Sequence, residues 1–127
     1  MSLGKETEKG LKELLRANAE DYMTLALLAE RMEAVGRTEE AKLLREKAAV
    51  ELGHAKAIFE TLVKAEGLQA TAKELADVED LQHVSEYNVV AMKAKEEGHP
   101  DIEKMLCSFA EQEKGIAEVL KRTAKAL

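Results

Sequence analysis

The feature that most constrains this chain is an internal repeat. At a spacing of 62 residues Gly36 falls on Gly98, Leu44 on Leu106, Ala48 on Ala110, Glu51 on Glu113, Gly53 on Gly115 and Ala55 on Ala117. Each of the two glutamates lies 15 residues after its turn glycine. A pattern with one break per copy reads as a helical hairpin written twice. The copies differ three residues after the shared Glu, where one has His54 and the other Ile116.

The breaks set the helices. Gly36-Arg37-Thr38 separates a first helix, about residues 5–35, from a second over about 38–66. After Gly67-Leu68-Gln69-Ala70, the pair Thr71 and Glu74 reads as a capping box opening a third helix, about 71–98. Gly98-His99-Pro100 ends it, and Pro100 suits the first turn of a fourth, about 100–125. One Pro, seven Gly and 3 % aromatic residues in 127, with plentiful Ala, Leu, Glu and Lys, argue for an all-α protein. That length suits one domain, residues 1–127.

Charge and cysteine usage exclude several functions. The net charge of −6 is spread along the chain. It offers no basic face to a nucleic acid and no attraction to an anionic membrane. No apolar run is long enough to span a bilayer, and the N-terminus lacks the apolar core of a signal peptide. The single cysteine, Cys107, rules out an internal disulfide and a Cys-x-x-Cys metal knuckle. The expected compartment is a reducing cytoplasm.

Helical facing places polar groups among apolar ones. In the fourth helix Ile102, Leu106, Phe109, Ile116 and Leu120 form a stripe with Glu113 at its centre. In the second, Leu44, Ala48, Ala55, Ile58 and Leu62 surround Glu51, and His54 stands at the edge. The first helix puts Asn18 in mid-stripe, whereas Glu20 points away. In the third, Ala72, Leu75, Glu79, Gln82, Glu86 and Val90 form one inward row. Carboxylates converging in a bundle repel one another and must take up protons or share a cation. A bound dication resolves the conflict. The competing reading is that these groups satisfy one another through shared protons, or meet water in a wider bundle.

The segments Glu51-Leu-Gly-His54-Ala-Lys, Glu96-Glu97-Gly98-His99 and Ala110-Glu-Gln-Glu113-Lys resemble the rubrerythrin branch of the ferritin-like superfamily. The resemblance covers nearly the whole chain. It implies a ferritin-like four-helix bundle and a di-iron site with one Glu on helix one, Glu-x-x-His on helix two, Glu on helix three and a second Glu-x-x-His on helix four. The matching positions are Asn18, Glu51 with His54, Glu79, and Glu113 with Ile116. Gln82 stands where rubrerythrins carry a further Glu. Asn can lend a neutral oxygen to a hard cation, but Ile cannot, so the metal position served by Glu51, His54 and Glu113 survives better. His83, one turn after Glu79, is a candidate substitute nitrogen or else a rim histidine. His99 reads as a turn residue.

Ferritin-like bundles run up-down-down-up, which needs a long link between helices two and three. From Glu51 to residue 66 and from residue 71 to Glu79, the helices climb roughly 22 Å and 12 Å, so the link must cover about 34 Å. Gly67–Ala70 reach only about 14 Å. Either the chain folds back as an up-down-up-down monomer and scatters the site, or it forms a domain-swapped homodimer. In the swapped dimer each site takes Asn18, Glu51 and His54 from one subunit and Glu79 and Glu113 from the other.

The resemblance implies a non-haem iron protein in which a reduced di-iron centre delivers electrons to hydrogen peroxide. Manganese or zinc also fits the donor set. Lacking a rubredoxin-like module, such a protein takes its electrons from a separate donor protein. Two alternatives are a metal-binding or structural bundle with a redox-inactive site, favoured by Asn18, Gln82 and Ile116, and, more weakly, a di-metal oxygenase.

Overall fold

The computed structural model describes residues 3–78 and 82–127. Those residues are 92 % helical, with no strand among them. The helices are α1 (Lys5–Ala34), α2 (Thr38–Glu66), α3 (Leu68–Val78), α4 (Val84–Glu96) and α5 (Pro100–Ala126). Where sequence periodicity runs one helix over 71–98, the structure has α3 and α4, with a π-turn at Gln82-His83 leading into α4. Helix α3 opens at Leu68, before the capping-box position. The Thr71 hydroxyl therefore sits inside the helix and donates to the Gly67 carbonyl at 2.9 Å.

The repeat in sequence is also a repeat in turn geometry. After α1, the Arg37 amide donates to the Met32 carbonyl (2.9 Å) and the Gly36 amide to that of Glu33 (3.0 Å). After α4, His99 donates to Ala94 (2.8 Å) and Gly98 to Lys95 (3.1 Å). Both are Schellman endings, whose residue after the cap takes a left-handed conformation. Gly36 has φ 82° and Gly98 has φ 83°, values that cost a glycine little. The chain then re-enters a helix at once, through the acidic first turn of α2 and through Pro100 at the start of α5.

The chain divides into two compact units, Met1–Glu66 and Gly67–Leu127. In the first, α1 and α2 pack as an antiparallel pair. In the second, α3 and α4 both pack on α5. The Gln69 side-chain amide donates to the Ala124 carbonyl at 3.0 Å, tying the start of α3 to the end of α5.

What each unit seals is a line of small side chains. On α5 the buried residues are Ala110, Ala117 and Ala124, seven apart. Helix α2 buries Ala41, Ala48 and Leu62, α1 buries Ala29, α3 buries Ala72 and Ala76, and α4 buries Ala91 and Ala94. Alanine at these positions lets helix axes approach closely, toward the short end of the roughly 8–10 Å packing range. The bulky stripe lies beside this seam, roughly 60° around α5 by helical geometry. It stays half open: Phe109 keeps 39 % and Ile116 46 % of its surface accessible. Among the described residues no large side chain is completely buried.

Charged contacts fasten the ends of the first hairpin. Arg45 of α2 pairs with Glu33 of α1. Lys12 Nζ lies 2.8 Å from Glu8 and 2.9 Å from Glu66, so one ammonium joins the start of α1 to the end of α2. The hydrogen bond from Lys12, then contacts with Glu66 and the Lys12 charge, hold the Glu8 carboxyl below its ordinary value of 4.5. A carboxyl with a lowered folded-state pKa stabilises the fold above its unfolded value and loses that contribution as pH falls through its folded value. Glu8→Gln is therefore expected to melt below wild type at neutral pH and to close the gap in acid, once pH has fallen through the folded-state value. Thermal melts at the two pH values check this; a gap that persists in acid removes the assignment.

Candidate metal centre

Helix α2 carries the first pair of candidate ligands. Glu51 and His54 stand one turn apart, with Glu51 Oε1 3.9 Å from His54 Nδ1. That is too long for a hydrogen bond and allows both to turn toward one ion. The Glu51 side chain is 25 % exposed and that of His54 59 %, matching the central and edge positions that helical facing assigns them.

The second unit carries another set. Glu113, half-buried on α5, lines a cavity of about 460 Å³ with His83, Glu86, Tyr87, Val90 and Leu106. Tyr87 meets Phe109 edge to face, ring centres 6.2 Å apart and planes at 86°. His83, Tyr87 and Val90, spaced i, i+4 and i+7, share one helical face that lines this cavity. Gln82, which the periodicity turns inward, is exposed, whereas His83 is half-buried and on the cavity wall. The i, i+4, i+7 spacing of His83, Tyr87 and Val90 is the sequence signal that marks this face. Tyr87 was likewise outside the inward row, while Glu86 was in it.

The remaining positions are less suited. Glu79 lies outside the described residues. The Asn18 side-chain amide donates 2.7 Å to the Leu14 carbonyl one turn back, which commits one end of that group to its own helix. Ile116 offers no donor, and Cys107 is exposed. Carboxylates with imidazole suit Fe(II), Mn(II) or Zn(II) in kind. In number they fall short: among the described residues no three His, Cys, Asp or Glu side chains are grouped so as to hold an ion. The donor chemistry fits a metal, and the described part of each unit supplies only part of a shell.

No helix among the described residues is long and apolar enough to cross a membrane. The class that the structure defines is an all-helical protein of five helices with antiparallel contacts. The chain matches none of the protein-family models and none of the curated proteins with which it was compared.

Proposed function

We propose that this chain is a non-haem metal protein of rubrerythrin type, binding iron and reducing hydrogen peroxide with electrons from a separate protein. One observation carries the reading. Two hairpins closed by the same Schellman turn each hold a half-buried Glu 15 residues beyond the turn glycine, one of them with His54 a turn later. The repeat thus sets a carboxylate at the same distance from its turn in each unit, one of them with an imidazole a turn away, donors of the kind that a divalent metal takes.

The proposed assembly is a ferritin-like bundle made by two copies exchanging hairpins. Helix α2 ends at Glu66 and α3 begins at Leu68, so Gly67 alone joins them and no length is left for a return crossover. The half-open stripe of Ile102, Phe109 and Ile116 supports the need for a second layer. In such a dimer Asn18, Glu51 and His54 of one copy meet Glu79 and Glu113 of the other.

In this reading Glu51 and Glu113 would be the shared carboxylate ligands, His54 would supply an imidazole, and Glu79 would supply a further carboxylate. Bound iron supplies the reducing electrons and an open position for a small oxidant. In the dimer the apolar stripe would keep bulk water from the site, and the carboxylates on separate helices would accept protons. The test is anaerobic iron loading with metal analysis, followed by a peroxide consumption assay. Retention of iron and consumption of peroxide support the proposal. Fewer than about one metal per two sites, with stability unchanged in chelator, would favour a structural bundle instead. The absence of a three-donor group among the described residues and the back-bonded Asn18 point toward that second reading.

A further inference from the structure

We infer that the cleft between α3 and α5 binds an amphipathic organic anion, a carboxylate head on an alkyl chain. The cleft lies wholly within the second unit and owes nothing to the metal reading. Its volume is about 660 Å³, inside the roughly 300–1,000 Å³ typical of small-molecule sites. Ala76 and Ala124, both buried where α3 packs on α5, line it with methyl groups, and Ala70 adds a third. At one end the Gln69 amide donates to the Ala124 carbonyl, which fixes the spacing of the two helices.

The rim reverses the sign of the chain. Lys73 from α3 and Lys121 and Lys125 from α5 border the cleft, against the single carboxylate of Asp77, in a protein of net charge −6. Lys121 already has a partner, so the attraction is assigned to the other two. Among the described residues Lys73 and Lys125 make no ion pair, not even with Asp77, one turn after Lys73. Lys73 is three residues from both Ala70 and Ala76 and shares their side of α3, and Lys125 follows Ala124. Lysine stems lie along apolar surface while their ammonium groups stay in water. Two stems from facing helices can therefore flank an alkyl chain whose carboxylate meets both heads. An inorganic anion would use only the heads, and a cation with the same tail only the methyl groups.

The test titrates the full chain with decanoate, hexanoate, decyltrimethylammonium and inorganic phosphate, read by the NMR signals of the Gln69 side-chain amide and the Ala70, Ala76 and Ala124 methyls. Decanoate is expected to shift these signals and to bind roughly tenfold tighter than hexanoate, because a fully covered methylene is worth about fourfold and an open cleft covers about half of each. Phosphate and decyltrimethylammonium are expected to bind at least about fivefold more weakly than decanoate. Joint replacement Lys73→Gln and Lys125→Gln is expected to weaken decanoate by about fivefold, and Lys104→Gln, exposed elsewhere on α5, to stay within about twofold of wild type. Ala70→Leu fills the cleft from an exposed helical position and is expected to weaken decanoate without unfolding the chain. Decanoate that leaves the Gln69 signal unmoved, that binds the double variant as tightly as wild type, or that is matched by decyltrimethylammonium overturns the inference.

Discussion

Ala117→Leu is expected to lower the free energy of unfolding by about 1–3 kcal/mol, although it adds apolar surface to a helical position that favours leucine. Ala117 is 1 % exposed and sits midway along the α5 seam, with Ala110 and Ala124 seven residues to either side. Packing there depends on backbones approaching across methyl groups. Three extra carbons have no space, so α5 must shift away from its partners or the new side chain must leave its preferred rotamer. Val119→Leu is the control, because Val119 is exposed and the change should stay within about 0.5 kcal/mol. Urea unfolding of both variants decides it. An Ala117→Leu protein as stable as wild type would mean that the seam is looser than the structure has it.

Ile116→Asp is expected to weaken self-association by at least about tenfold, or roughly 1.4 kcal/mol. Ile116 is 46 % exposed within the chain, one helical turn after Glu113, in the stripe that the proposed dimer covers. Covered by a second copy, a new carboxylate loses water and gains a like-charged neighbour three residues away. Left facing solvent, the same substitution costs little. The contrast makes the measurement informative. Sedimentation equilibrium with chelator present keeps a bound cation from masking the added charge. A wild-type chain that is monomeric at micromolar concentration, or a variant that associates as tightly as wild type, would end the dimer proposal.

The parts of this fold legible in the sequence are those governed by backbone chemistry. Gly36 and Gly98 are needed because left-handed turns exclude most other residues, and Pro100 marks a helix start for an equally local reason. The half-buried facing of Glu51 and Glu113 was legible too, since it follows from helical repeat alone. Choosing the sealed line was harder. On α5 the alanines and the Ile/Leu/Phe stripe lie within one broad apolar arc. Hydropathy ranks the larger residues higher, but closeness of approach favours the smaller. The facing of His83 was legible only as one of two alternatives, because the inward row that begins at Ala72 passes through Gln82 while the row through Tyr87 and Val90 passes through His83.

A seam of methyl groups spaced by sevens is smooth, and one consequence is that it has little power to fix its own register. Slide α5 by two helical turns and two of its three buried alanines fall where alanine stood before. The hold against slippage falls on what is not periodic: the brief Gly36 and Gly98 reversals and the lone clasps at the hairpin ends, Lys12 with Glu66 and Gln69 with Ala124. A lengthened reversal would loosen that hold and let a hairpin settle a heptad away, carrying its glutamate to a new depth while two of the three α5 seam places stayed alanine.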